Sequence, residues 1–288
     1  MNNNKNINEA SNPSRVYALF YSFFLIPLMI TIFGVLFFFL FKMLTYEKQD
    51  PYHLLNNIKS GSLTKRWQSA YELSNLMTDP DKIPDDPLFF NQMLTMYEKS
   101  IHDDSKVRTY LALAMGQTEN PLFGEVLING LNDNDLDNRI AAIKSLGSIK
   151  YKPAVKIIND IVLSDNDQRL RLASIISLGQ IKDSSSVNIL VDVLDDEEAN
   201  LRWDAAISLT KIGSLEGIYV LEKLLNRNYF SNFSNVDEHE VNNTILTVLG
   251  LVSQFPDDSF LDEILYLSKN DKNIKIREFS MKILSEHY

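Results

Sequence analysis

The sequence predicts an all-α protein, with one N-terminal transmembrane helix followed by an α-solenoid of about seven helix pairs. Three observations predict it. The 26 residues Val16–Phe41 contain no charged side chain, a nine-residue frame recurs about every 31 residues, and no stretch alternates convincingly with the period-two pattern of a strand.

Residues 1–15 form a polar tail, expected to be disordered. The apolar run that follows is bracketed by Arg15 and Lys42 and, as a helix, would extend about 39 Å, more than a bilayer core requires. Pro27 and Gly34 would break a helix in water, but a bilayer helix accommodates them. A cleaved signal peptide has a shorter apolar core and a small-residue cleavage site, whereas this run continues into Phe41-Lys42-Met43-Leu44-Thr45. The expected anchor is therefore an uncleaved single span over residues 16–44. For orientation, Lys5 and Arg15 stand on one side, with Lys42, Lys48, Lys59, Lys65 and Arg66 on the other. That wider count favours a cytoplasmic solenoid, although the charges nearest the two ends balance.

Charge narrows the partners. Residues 1–44 hold Lys5, Arg15 and Lys42 against Glu9, a net +2, so the remaining residues carry −12 of the chain's −10. An acidic domain repels phosphate backbones, which disfavours nucleic acid and favours a protein partner with a basic surface. With no cysteine, disulfides, thiolate metal sites and thiol nucleophiles are excluded.

After a short linker, residues 45–50, the repeat occupies residues 51–288. Arg108-Thr-Tyr-Leu-Ala-Leu-Ala-Met-Gly116, Arg139–Gly147, Arg171–Gly179 and Arg202–Thr210 align without gaps, their arginines spaced by 31, 32 and 31 residues. Copies at Arg66 and Arg277 fit the frame, and one at Asn242 keeps it without the arginine. Small or apolar residues three, four and seven places after the arginine define one face of a helix, the second of each pair. Asp104, Asp135, Asp167, Glu198 and Glu238, with Ser62 and Asn273 in the end copies, stand four residues before it and are expected to cap that helix. The glycine eight places after it is expected to end the helix with positive φ. First helices are expected near Pro51–Ser60, Asp86–Ile101, Pro121–Leu131, Pro153–Leu163, Val187–Leu194, Leu215–Asn226 and Ser259–Ser268.

The acid–arginine–small–apolar–leucine–glycine frame resembles HEAT-like repeats, in particular the short bacterial type also found in phycobilin-lyase subunits. An anchor followed by such repeats also resembles bacterial membrane-anchored HEAT-repeat proteins. The resemblance implies a solenoid that serves as a binding surface, held in the bacterial inner membrane. It names no partner.

Arg66, Arg108, Arg139, Arg171, Arg202 and Arg277 are expected to be structural, each paired with the acidic cap one turn earlier or with that of a neighbouring repeat. Asp133-Asn-Asp135-Leu-Asp137 looks like the start of a calcium loop. It lacks the required glycine and glutamate, since Asn138 and Lys144 stand in their places, and it reads as a capped turn. Asp195–Glu198 reads as a solvated turn, or as a docking point for basic residues. The four histidines, His53, His102, His239 and His287, have no metal-ligand spacing. No catalytic residue, cofactor, metal or small-molecule substrate is expected. Two insertions break the period, at Thr78–Pro87 and Asn228–Asn235. Insertions in solenoids gather on one face, so Tyr229, Phe230 and Phe233 are candidate partner-binding residues that could equally fold back over the adjoining helices. Trp67 and Trp203, each just after a repeat arginine, are expected to pack in the groove, with a role as partner-binding anchors the alternative. The function expected is a non-catalytic, membrane-anchored scaffold or adaptor. The alternatives are a subunit of an enzyme, by analogy with the phycobilin lyases, or a structural subunit of a membrane transport complex.

Overall fold

The computed structural model describes residues 20–44, 50–234 and 236–288, all of them in helices, turns and loops with no strand among the described residues. It falls into two compact units, Met1–Gln49 and Asp50–Tyr288. The predicted tail, residues 16–19 of the span and linker residues 45–49 lie outside the described residues. Asp50, expected in the linker, instead caps the first solenoid helix by accepting the Tyr52 N–H.

In the first unit, helix α1 (Ile26–Leu44) follows a π-helical turn, Tyr21–Leu25. Pro27 has no N–H and its ring crowds the preceding turn, and the wider π turn lies just before it. Tyr21–Met43 is long and apolar enough to cross a membrane, and none of it is buried against the protein.

The second unit is the helical stack. Its pairs are α2 (Pro51–Ser60) with α3 (Leu63–Leu76), α4 (Pro87–Lys99) with α5 (Ser105–Gln117), and α6 (Gly124–Gly130) with α7 (Leu136–Ser148). They continue as α8 (Val155–Ser164) with α9 (Gln168–Ile181), α10 (Val187–Val193) with α11 (Ala199–Ile212), α12 (Ile218–Leu225) with α13 (Glu238–Val252), and α14 (Leu261–Asn270) with α15 (Ile274–His287). That makes seven pairs among the described residues. Each second helix packs on the next, closely from α3 to α11 and more loosely at α11–α13, where the second insertion enters. The repeat face predicted from spacing is the buried one. Three places after the arginine come Ser69, Leu111, Ala142, Ser174, Ala205, Ile245 and Ser280, all buried. One pair alone could not cover this face, so the core is continuous along the stack.

Caps behave largely as expected. Ser62, Asp104, Asp135, Asp167 and Asn273 each accept a backbone N–H from the first turn of their helix. Two details differ. Glu198 occupies the cap position without a side-chain bond, and the cap of α13 is Asp237 rather than Glu238.

The repeat glycines do something other than end the helix. Gly116, Gly147 and Gly179 lie within helical backbone, and the left-handed residue falls three places later, at Glu119, Lys150 and Lys182 (φ 51°, 53° and 58°) and at Gly213 (φ 96°). Instead, the glycines admit the neighbouring helix. A Cβ on Gly179 would sit 2.5 Å from Ser208 Oγ and 2.8 Å from its Cα, and Gly116 and Gly147 meet Ser145 and Ser177 in the same way. Those serines donate to carbonyls of the preceding second helix: Ser145 to Ala112 (2.7 Å), Ser177 to Ile143 and Ser208 to Ile175 (both 2.9 Å). Glycine and serine thus lock neighbouring second helices at close range.

Candidate functional site

The repeat arginines are consumed in holding the stack together. Arg108 is buried and places Nε 2.6 Å from Asp133, while its Nη1 donates to the Tyr97 carbonyl at 2.8 Å. Arg139 and Arg171 repeat the arrangement, pairing with Asp165 (2.8 Å) and Asp196 (2.5 Å) and donating from Nε to the carbonyls of Leu131 and Val162. Arg66 likewise pairs with Asp103 and bonds the Ile58 carbonyl. The acidic partner is therefore never the cap. It is an aspartate one or two residues before the cap of the following repeat, and its other oxygen accepts the cap residue's own N–H, as Asp133 does from Asp135. Each aspartate joins one repeat's arginine to the next repeat's turn.

The ladder changes hands at the second insertion. In the sequence, the place two before the cap Asp237 holds the uncharged Asn235, which lies outside the described residues. Arg202 turns Nη1 back to the carbonyls of Asp196 and Glu197, at 2.6 and 2.9 Å. At the next step, where Asn242 replaces the frame arginine, Arg227, just before the insertion, holds Asp271 with both Nε (2.6 Å) and Nη2 (2.9 Å), and Asn242 supports it. Arg277 bonds the Asp271 carbonyl.

These pairs set the carboxyl ionisation. In Asp165 the Asp167 N–H is the largest influence; with Arg139 it outweighs burial and lowers the pKa. In Asp196 and Asp271 burial pushes upward, but the backbone N–H groups and arginines outweigh it and the net shift is downward. Their contribution to stability is present above the ordinary carboxylate range and is lost as pH falls through the depressed values.

The aromatic insertion folds back. The ring of Trp203 is met edge-on by Tyr229, Phe230 and Phe233, with centroids 6.2, 5.6 and 5.0 Å away, and its Nε1–H donates to the Tyr229 hydroxyl at 3.2 Å. Trp203 and Phe230 are only 7% and 4% exposed, so burial removes both from the set of surface anchors. Tyr229 and Phe233 are half-buried and keep an open edge. Trp67 is also half-buried, with the Lys106 ammonium 4.9 Å above its ring.

Two features lie outside those expectations. A groove of about 410 Å³ runs past the C-terminal ends of α5, α7, α9, α11 and α13, lined by Gln117, Lys150, Gln180, Lys182, Lys211 and Gln254 among others. In α11, Asp204 is half-buried and its carboxyl makes no hydrogen bond among the described residues. Burial lifts its pKa to about 6, and Lys211 pulls only partly against this. Among the described residues, no group of three or more histidine, aspartate or glutamate side chains is placed to hold a metal ion.

Seven pairs stack, and one repeated contact set joins the first five of them. This chain carries HEAT-like repeats. The HEAT-repeat family model matches residues 94–179 and 160–231. Among solved structures, the complex of CpcE and CpcF of phycocyanin lyase from Nostoc sp. PCC7120 is similar at 17% identity and a TM-score of 0.59, covering 84% of this chain and 90% of that one. Human deoxyhypusine hydroxylase in complex with glycerol is also matched, at 13% identity and a TM-score of 0.34, over 82% and 83% of the two chains. An engineered protein matches at 16% identity and 0.46, over 72% and 98%. At 17% identity the likeness to the phycocyanin-lyase complex concerns the fold alone. No curated protein matches the sequence significantly. The other shared ground is the HEAT-repeat architecture itself, an extended surface suited to scaffold or adaptor work.

Proposed function

We propose that this HEAT-like protein is a non-catalytic, membrane-anchored scaffold or adaptor that holds a protein partner beside the bilayer. The observation that carries it is the division of labour between its two units. Tyr21–Met43 is an unburied apolar helix of spanning length, about 34 Å, which in water would expose its phenylalanines at high cost. The other unit spends its repeat arginines and their aspartate partners on joining repeats and presents the rest as surface. The net −12 beyond residue 44 favours partners with basic faces over nucleic acid. The anchor is read as a single pass in a bacterial inner membrane, with the solenoid on the cytoplasmic side.

Crosslinking in native membranes followed by mass spectrometry tests the reading. A reproducible protein partner is the expected result. Recovery of background proteins alone, with a purified solenoid that turns over a metabolite, would refute it. Stoichiometric co-purification with a transporter would favour a structural subunit instead. Because the chain has no cysteine, a single one introduced at Ser285 reports orientation by its reaction with an impermeant maleimide.

A further inference from the structure

The groove at the ends of the second helices has a composition opposite to that of the protein around it. Lys150, Lys182 and Lys211 open into it from three successive repeats, and none has an ion-pair partner among the described residues. The side-chain amides of Gln117 and Gln180, which also line it, make no hydrogen bond among the described residues, so they offer donors and acceptors to whatever enters. The helix dipole favours a lysine at each C-terminus and accounts for the sign of the charge. It does not account for three lysines opening into one groove between free amides. Nor does it require Lys150 and Lys182 to occupy left-handed backbone (φ 53° and 58°), where Gly213 serves in the next repeat without strain.

We propose that this groove receives an extended acidic segment of the protein partner, its carboxylates meeting Lys150, Lys182 and Lys211 in turn. The inference rests on the scaffold reading and gives that reading a second, chemically distinct contact. Spacing sets the register. Neighbouring helices in a stack lie about 8–10 Å apart, and a polyproline-II segment rises about 3.1 Å per residue with three residues per turn, so an acidic side chain at every third residue faces the groove once per repeat and matches one lysine per repeat. Glu119, at the far end of the groove, repels a fourth acid and fixes where the acidic stretch stops. The two glutamines are free to bond the backbone between acidic positions.

The test uses the full chain in zwitterionic nanodiscs and fluorescence anisotropy with labelled extended peptides carrying aspartate at every third residue. The wild type should bind this peptide more tightly than one of equal composition with its aspartates adjacent. Replacing Lys150, Lys182 and Lys211 together with glutamine should weaken binding at least about tenfold, the equivalent of 1.4 kcal/mol. K150G/K182G separates binding from folding, because it removes two charges while relieving left-handed backbone. It should lose affinity and melt higher than the wild type. Equal binding of the two peptides, unchanged affinity in the lysine variants, or a preference for single-stranded DNA over either peptide would overturn the proposal. If a crosslinked partner still assembles on the triple variant as on the wild type, the groove fails and the scaffold reading stands.

Discussion

Asp204 makes the stability of the solenoid depend on pH in a direction opposite to that of its other shifted aspartates. Its carboxyl is half-buried in α11 with no hydrogen bond among the described residues, and desolvation, only partly opposed by Lys211, raises its pKa from 3.8 to about 6. Well below pH 3.8 it is neutral in both folded and unfolded chains and contributes no difference. Between 3.8 and 6 the unfolded chain ionises while the folded chain keeps its proton, so stability falls as pH rises. The shift of about two units corresponds to about 3 kcal/mol lost above pH 6, at 1.36 kcal/mol per unit. Asp204→Asn removes the ionisation and keeps the size and polarity of the neutral acid. It should therefore raise stability at pH 7.5 by up to about 3 kcal/mol and leave it unchanged near pH 3.5. Urea denaturation of variant and wild type, followed by far-UV circular dichroism at both pH values, reads the difference, and shared effects from the Arg–Asp ladder cancel. A variant no more stable than wild type at pH 7.5, or equally stabilised at both values, would refute the reasoning.

Other outcomes follow from the same contacts. Asp133→Ala leaves Arg108 buried without its carboxylate and should cost about 3 kcal/mol, against at most about 1 for Asp137→Ala, whose pair with Arg169 is exposed; a double-mutant cycle with Arg108→Met should show coupling that a merely packed arginine would lack. Gly179→Ala should destabilise by about 1–3 kcal/mol through its clash with Ser208, whereas Gly250→Ala, which meets open space, should stabilise by up to about 1, both read from denaturation midpoints. Phe230→Ser should cost about 3–5 kcal/mol, because the ring is core; a silent substitution would return the loop to the surface. Lys150→Gly and Lys182→Gly should each raise stability by about 1 kcal/mol in thermal melts, by relieving left-handed strain.

The anchor and the repeat were legible in the sequence because each is written in residues close together along the chain. An uncharged run has a length, and a helix face has a period, so Val16–Phe41 and the Arg139–Gly147 type of frame could be read directly. The caps followed for the same reason, apart from the one-residue shift to Asp237. What went unread lies between repeats. A second column of aspartates, Asp103, Asp133, Asp165 and Asp196, recurs with nearly the arginine period and was available as a signal. Its pairing with the arginine of the preceding repeat depends on how far one pair advances on the next. Only the tertiary structure decided that the repeat glycines admit a serine rather than end a helix, that Trp203 and Phe230 are core, and that Arg227 stands in for the arginine missing at Asn242. It likewise brought three lysines from separate turns into one groove. The physical reason is common to all of these. Periodicity specifies which face of a helix is buried, whereas the stacking offset between pairs specifies what that face meets.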